Sequence, residues 1–199
     1  MRLYLARHGE TEWTVTRRHT GRTDVPLTAR GEEQARALGS ELAEVEVDRV
    51  LSSPLSRALE TARLAGFADR VETTDLLREF DYGEYEGLTS EEIRRRRPGW
   101  DLFRDGCPGG ETPPEVAKRV MPLLGELADA GADAILFGHG HALRILAVTY
   151  LGLDASNARF LFLGTGSLSL LGQEHDWPTV LRWNHVPSEP GGRPDGSSP

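Results

Sequence analysis

The chain has 199 residues, of which 38% are hydrophobic, which is enough for one domain with a sizeable core. Its formal net charge of −8 repels a polyphosphate backbone, so we expect no nucleic-acid partner. The opening MRLYLARHGE lacks the apolar run of a signal peptide, and no later stretch is apolar enough to cross a membrane. The sequence therefore predicts a cytoplasmic protein without membrane association.

Strand-like and helix-like segments alternate in the first third of the chain. Residues 3–6 predict a short strand, followed at once by Arg7 and His8. Thr28 predicts the N-cap of a helix, because apolar residues follow it at helical spacing. Residues 47–52 predict a second strand.

The later segments continue the alternation. Ser53 and Pro54 predict the N-cap and the first residue of the next helix. Thr89 with Glu92, and Thr112 with Glu115, match capping boxes. The remaining predicted elements are a strand at 71–74, helices at 91–97 and 114–130, a strand at 134–137, a helix at 143–151, and strands at 168–171 and 180–183.

This order predicts an α/β fold, in which helices cover both faces of a mostly parallel central sheet as a three-layer α/β/α sandwich. We predict one domain over residues 1–186. Residues 187–199 are mostly Pro, Gly and Ser and predict a C-terminal tail. The only cysteine, Cys107, excludes an intrachain disulfide.

Cationic and imidazole side chains follow the predicted parallel strands, at the sheet edge where such folds bind ligands. Arg7 and His8 end the first strand, Arg57 opens the helix after the second, and His139 ends the strand at 134–137. Guanidinium groups match phosphate oxygens, and imidazole can act as donor, base or nucleophile. Taken alone, Arg57 is typical of a solvated helix residue and His139 of a half-buried structural histidine. From the residues alone, a structural and a functional interpretation both stay open.

Five ordered motifs then indicate a family. They are RHGET at Arg7, HTGRTDVPLTARGEEQA at His19, SSPLSRALETA at Ser52, LREFDYGEYEG at Leu77 and GHGHALR at Gly138. Together they resemble the histidine phosphatase superfamily, which includes phosphoglycerate mutases and many phosphatases. The resemblance runs from residue 2 to about residue 170 and implies a phosphoglycerate mutase-like fold.

The resemblance also implies roles for individual residues. His8 would be the nucleophile that carries the phosphoryl group, and Arg7, Arg57 and His139 would complete the phosphate pocket. Glu79 would protonate the leaving oxygen and later activate water. No partner for the Glu79 carboxyl is evident in the sequence, and the residues alone would not single it out.

Further residues bear on the substrate. By resemblance to the mutases, Thr20, Gly21 and Tyr82 would line its pocket. Thr14, another candidate contact, stands where many family members carry Asn. Together with FDYGEYEG and RDGCPGGET (residues 104–112), it is similar to an actinobacterial acid phosphatase branch and to sedoheptulose-1,7-bisphosphatases. The resemblance therefore favours a phosphatase of small phosphorylated metabolites, such as sugar or sugar-acid phosphates, with no metal and no cofactor. A homodimer is compatible with the sequence.

Three alternatives stay open. The first is a phosphoglycerate mutase, which shares the chemistry. The second is a metal enzyme in which His8, His139 and His141 bind the ion, although the arginines would repel it. The third is a module that binds phosphorylated ligands without turnover. The resemblance gives Cys107 no catalytic role, and the arginines at 94–97 are typical of a solvated helix end.

Overall fold

A computed structural model of the chain describes residues 1–187, so the predicted tail, apart from Pro187, lies outside the described residues. The strands are β1 (Leu3–Arg7), β2 (Arg49–Ser52), β3 (Val71–Thr73), β4 (Ala134–Gly138), β5 (Leu168–Glu174) and β6 (Trp177–His185). The α-helices are α1 (Glu12–Val15), α2 (Ala29–Leu42), α3 (Ser56–Ala62), α4 (Ser90–Arg96), α5 (Leu102–Asp105), α6 (Pro113–Ala130) and α7 (Gly140–Tyr150). A π-turn (Arg63–Phe67) extends α3, and short 3₁₀ turns lie at Asp75–Leu77, Gly83–Tyr85 and Ala155–Phe160.

The six strands form one sheet in the order β3-β2-β4-β1-β5-β6. Strands β3, β2, β4 and β1 run parallel, whereas β5 and β6 are antiparallel additions at one edge. The carboxyl ends of β1 and β4 therefore lie side by side in the middle of the sheet. Among the described residues, no helix is both long and apolar enough to span a membrane.

Alternate residues of the central strands supply two separate cores, because successive side chains of a strand point to opposite faces. Leu3, Leu5 and Leu136 pack with α6 and α7 on one face. Ala6 and Phe137 pack with α2 and α3 on the other. The predicted three-layer α/β/α architecture is confirmed.

A third apolar cluster lies outside the two sheet faces. Phe80, Tyr82, Ile93 and Trp100 pack there against Ile145 of α7. The same cluster encloses Cys107. This region brings the segment after β3 against the amino-terminal half of α7, beside the strand ends.

The helix starts that depend on local hydrogen bonds are as predicted. Thr28 caps α2, with its hydroxyl accepting from the Gly31 N–H at 3.1 Å. Both predicted capping boxes, at Thr89 and Thr112, are present. The arginines that end α4 are exposed, as expected of a solvated helix end.

The predicted start of α3 is wrong by two residues. The helix begins at Ser56, and its N-cap is Leu55, whose side chain makes no capping hydrogen bond. The Ser53 N–H donates to the Phe137 carbonyl at 3.0 Å, so the chain still follows the sheet where a helix start was predicted. The Ser53 hydroxyl instead accepts from the Leu55 N–H at 3.3 Å.

Candidate active site

Two histidines leave the sheet next to each other. Arg7 of β1 pairs in register with Gly138 of β4, so the following residues, His8 and His139, emerge together. The His8 N–H donates to the Gly138 carbonyl at 2.9 Å, which ties the two strand ends. The imidazole centroids are 5.1 Å apart. The predicted convergence of these residues at one sheet edge is confirmed.

Arg57 lies between this pair and the loop before α2. Its side chain is fully buried, so its interpretation as a solvated residue is wrong. Its Nε donates to His139 Nδ1 at 3.2 Å. Its terminal nitrogens donate to the carbonyls of Thr20, Gly21 and Thr23 at 2.9 to 3.1 Å. These carbonyls and the imidazole hold a buried cation in place without a carboxylate contact.

The surroundings of His8 select one uncharged form of its ring. Nδ1 lies 2.7 Å from the Gly9 carbonyl oxygen, which can only accept, so Nδ1 carries the proton. The pKa of His8 is well below its usual value because burial disfavours the imidazolium and the Arg57 and Arg7 cations repel it. The ring is therefore neutral and its Nε2 has a free lone pair.

His139 is held in the opposite tautomer. Its Nδ1 accepts from Arg57, so the proton of the neutral ring is on Nε2. Burial first, and then the Arg57 charge, lower the pKa of His139 well below the usual value. Within residues 1–187, His139 Nε2 and Arg7 Nε are buried without a hydrogen-bond partner. Buried donors in this state are rare, and an anionic oxygen beside them would satisfy both.

Glu79 lies at the amino terminus of α7. One carboxylate oxygen accepts from the N–H groups of Phe80 at 2.9 Å and Ala142 at 2.8 Å. The other accepts from the His141 N–H at 3.2 Å. The expectation that this carboxyl has no partner is therefore wrong. Free N–H groups and the helix dipole both stabilise a negative charge here.

A cavity of about 410 Å³ opens beside His8 and Glu79, and Arg57 and His139 do not line it. Arg7, His8 and Glu79 line it, and so do three of the predicted substrate contacts, Thr14, Thr20 and Tyr82. Gly21, the fourth, instead lines a separate cavity of about 200 Å³ that reaches Glu79 as well. The Thr14 hydroxyl is engaged within its own turn, where it donates to the Thr11 carbonyl at 2.7 Å.

The cavity wall also contains residues that the sequence did not single out as substrate contacts, namely Arg17, Arg18, His19, His141 and Arg144. His141 Nδ1 lies 2.5 Å from the Tyr82 hydroxyl. Burial lowers the pKa of His19 to about 4, so its ring is neutral in all but acidic solution. The GHGHALR motif contains His141 and Arg144, but no local pattern indicates that these two side chains line the cavity.

The histidines of the site do not assemble into a metal centre. Among residues 1–187, no group of three or more His, Cys, Asp or Glu side chains is placed to hold a metal ion. His139 Nδ1 is occupied by Arg57, and His141 Nδ1 by Tyr82. The donor set is instead one of cations and N–H groups.

Together, the fold and the site define a parallel-sheet protein with a histidine- and arginine-lined anion site at the carboxyl ends of its central strands. The chain belongs to the histidine phosphatase superfamily (branch 1), whose family model matches residues 3–186. It is 39% identical over 178 residues to an acid phosphatase of Mycobacterium tuberculosis (strain ATCC 25618 / H37Rv), covering 87% of each chain. It is 37% identical over 188 residues to the probable phosphoglycerate mutase GpmB of Salmonella choleraesuis, covering 89% of this chain and 87% of that protein. The solved structure of the open reading frame Rv3214 product of Mycobacterium tuberculosis matches with a TM-score of 0.88 at 36% identity, over 93% of this chain and 97% of that one.

Proposed function

We propose that the chain hydrolyses small phosphomonoesters through a phosphohistidine on His8. The observation that carries this proposal is the state of the His8 ring. It is neutral, its Nδ1 proton is held by the Gly9 carbonyl, and its Nε2 lone pair is free beside Arg7 and the Arg57–His139 pair. A buried nucleophile next to fixed cations suits phosphoryl transfer, in which catalysis is mostly positioning and charge stabilisation.

In the first half-reaction, His8 Nε2 attacks phosphorus, an N–P bond forms and the ester P–O bond breaks. Arg7, Arg57 and the Nε2 proton of His139 would stabilise the charge on the phosphoryl oxygens. The orphaned donors on Arg7 and His139 support this role, because a phosphoryl oxygen would complete their hydrogen bonding.

Glu79 would serve as the proton carrier. Its carboxyl lines the same cavity as His8, so it can relay a proton from the bound phosphomonoester to the leaving oxygen. A phosphomonoester with a second pKa of about 6 can bring that proton into the site as its monoanion. The proton passes through Glu79 to the leaving alcohol. In the second half-reaction, Glu79 takes a proton from water, the water oxygen attacks phosphorus, and the N–P bond breaks with its electron pair returning to His8 Nε2. The proton on Glu79 then passes to the departing inorganic phosphate, which returns the site to its starting state.

Hydrolysis on the acidic side of neutrality, as in an acid phosphatase, is part of this proposal. Because the relative at 37% identity carries a mutase name, transfer of the phosphoryl group back to a sugar acid is the second candidate. The two reactions share the first half-reaction. With 3-phosphoglycerate and its bisphosphate primer, we expect phosphate release to exceed isomer formation, and the opposite ratio would favour the mutase.

The covalent step is tested by trapping. The wild type, His8→Ala and His139→Ala would each be mixed with a phosphomonoester labelled on phosphorus and quenched in alkali, where phosphohistidine persists. We expect label on the wild type at His8, none on His8→Ala, and turnover of His8→Ala lower by at least about 10³-fold. Label on His139, or undiminished turnover by His8→Ala, would contradict the proposal. Assays with and without a strong chelator would show whether a metal contributes.

A further inference from the structure

The arginines that line the main cavity have no carboxylate contact. Within residues 1–187, the ion pairs use arginines elsewhere on the surface, such as Arg2, Arg49 and Arg119. By contrast, Arg17, Arg18 and Arg144 line the cavity and take part in none of these pairs. The cavity wall has four arginines, Arg7, Arg17, Arg18 and Arg144, and the carboxyl of Glu79. Its excess of positive charge attracts anions, although the chain as a whole is acidic.

Two contacts hold the side chain of Arg144 in place. Its Nε donates to the Ala158 carbonyl at 3.0 Å, and its guanidinium packs 4.4 Å from the Phe103 ring centroid. Burial lowers its pKa to about 10, so it stays charged at neutral pH although burial disfavours the charge. The carboxylate that opposes this effect most is Glu79, which α7 already supplies with N–H donors. The terminal nitrogens of Arg144 form no hydrogen bond within the described chain.

Arg17 reaches the same cavity from the segment after α1. Its side chain is exposed and makes no hydrogen bond or ion pair with the described residues. Its φ of 56° lies in the left-handed region, which is uncommon for a residue with a side chain. The neighbouring Arg18 is anchored by a 2.6 Å bond from Nη1 to the Gly87 carbonyl. Unusual backbone conformations of this kind cluster at ligand sites.

The cavity is also larger than a phosphate requires. Its volume of about 410 Å³ lies within the roughly 300–1,000 Å³ typical of small-molecule sites. His8 and Glu79 account for the part where the ester bond would be cleaved. Arg17 and Arg144 line the same cavity, and the proposed cleavage chemistry assigns neither of them a role.

We infer that Arg17 and Arg144 form a second anion subsite, so that the preferred substrates are phosphomonoesters with a second anionic group, either a carboxylate or another phosphate. This inference rests on the proposed function for the cleaved phosphate but concerns the rest of the substrate. Guanidinium groups suit both anions because their paired N–H donors match carboxylate and phosphate oxygens alike.

Matched substrates test the inference. 3-Phosphoglycerate and glycerol 3-phosphate differ by a carboxylate in place of a hydroxymethyl group. Fructose 1,6-bisphosphate and fructose 6-phosphate differ by a phosphate. We expect kcat/KM to be at least about tenfold higher for the acidic member of at least one pair, and the pair that shows it identifies the second anion.

Variants assign the preference to residues. Arg17→Ala and Arg144→Gln should each reduce the acidic-to-neutral ratio of kcat/KM by about tenfold or more. Glutamine keeps an amide donor near the Ala158 carbonyl, and an unchanged melting temperature would show that the variant folds. Arg30→Ala is the matched control, because Arg30 is exposed on α2 and does not line the cavity, and it should keep the wild-type ratio. Equal kcat/KM values within both pairs, or a ratio that survives both substitutions, would overturn the subsite.

A binding experiment separates this inference from the proposed function. Calorimetry would compare the affinities of the same substrate pairs for the His8→Ala variant, in which the proposed nucleophile is absent. Tighter binding of an acidic member, lost on adding Arg17→Ala, supports the subsite even if the wild type hydrolyses nothing. Equal affinities contradict the subsite even if the wild type proves to be an efficient phosphatase.

Discussion

The neutral rings of His8 and His139 carry their protons on different nitrogens, His8 on Nδ1 and His139 on Nε2, because each Nδ1 faces a different neighbour. The Gly9 carbonyl accepts a hydrogen bond from His8 Nδ1, whereas the Arg57 Nε–H donates a hydrogen bond to His139 Nδ1. One ring therefore presents a lone pair at Nε2 and the other a donor. Lowered pKa values keep both rings neutral well below their usual titration range.

This neutrality predicts the pH dependence of phosphate ester hydrolysis. His8 loses its nucleophilic form only when it is protonated, and its lowered pKa moves that loss below pH 6.5. We therefore expect kcat/KM to be maintained as the pH falls below about 6.5, whereas an unperturbed histidine would already be losing activity there. A pH series with an aryl phosphate measures this, and an acidic limb centred near 6.5 would contradict it.

The loss of kcat on replacing Glu79 should depend on the basicity of the leaving oxygen. Glu79→Gln keeps the size of the side chain and one acceptor oxygen, which can still accept from the Ala142 N–H. It loses the acceptor for the His141 N–H and cannot carry a proton. We expect kcat to fall by about 10²–10⁴-fold for alkyl phosphates and far less for aryl phosphates. Equal losses for both substrates would transfer the role to another carboxylate, with Asp81 and Glu84 of the segment that follows as the candidates.

At the scale of elements, α2 and the loop after β1 touch through two glycines. A Cβ at Gly31 would lie 2.2 Å from the Glu10 carbonyl oxygen, and one at Gly9 would lie 2.1 Å from the Gly31 carbonyl oxygen. This close approach holds the loop that contains the Gly9 carbonyl, the acceptor for His8. The packing of a helix start thereby positions the proposed nucleophile.

Two helical glycines give a matched test of that packing. Gly31→Ala should lower both the melting temperature and kcat, because the backbone of the loop must move away from the new methyl group. Gly125→Ala, at an exposed position of α6 with no atom within 4 Å of the added Cβ, should instead raise the free energy of unfolding by up to about 1 kcal/mol. Thermal unfolding and kinetics of both variants decide the matter. Equal effects would show that the Gly9–Gly31 approach is not structurally required.

The elements also show what the sequence can and cannot predict. The caps at Thr28, Thr89 and Thr112 were predictable because each hydrogen bond joins residues three positions apart. By contrast, Ala142 lies 63 positions from Glu79 and His139 lies 82 positions from Arg57, and no local pattern indicates these contacts. The family resemblance selected both residues, but only the packed structure shows one carboxylate at a helix start and one arginine fully buried.

At the scale of the whole molecule, the site influences how stability depends on pH. Burial is the largest cause of the lowered pKa in each of four histidines, namely His8, His19, His139 and His141. Below pH 6.5 the unfolded chain takes up protons on these rings and the folded chain does not, so falling pH favours unfolding. Above pH 6.5 both states are neutral and the effect disappears.

We therefore predict a fall in the free energy of unfolding as the pH drops from 6.5 toward about 4, the pKa of His19. Each ring contributes up to about 1.4 kcal/mol per pH unit. His19→Asn should flatten the slope by about that amount. His175→Asn, in the exposed turn between β5 and β6 where asparagine suits the positive φ, is the control and should retain the slope. Denaturant titrations at several pH values measure it, and a pH-independent free energy would refute the prediction.

The enclosed position of Cys107 has a practical consequence for spectroscopy. Burial raises the pKa of its thiol to about 12, so only ~10⁻⁵ of it is thiolate at neutral pH, and the thiolate is the form that maleimides attack. Because the chain has no other cysteine, a single cysteine introduced at exposed Trp177 should accept a fluorophore while Cys107 stays unlabelled. Mass spectrometry of the unmodified protein after maleimide treatment should show no adduct until it is unfolded. The native sequence would then serve directly as a background for site-specific labelling.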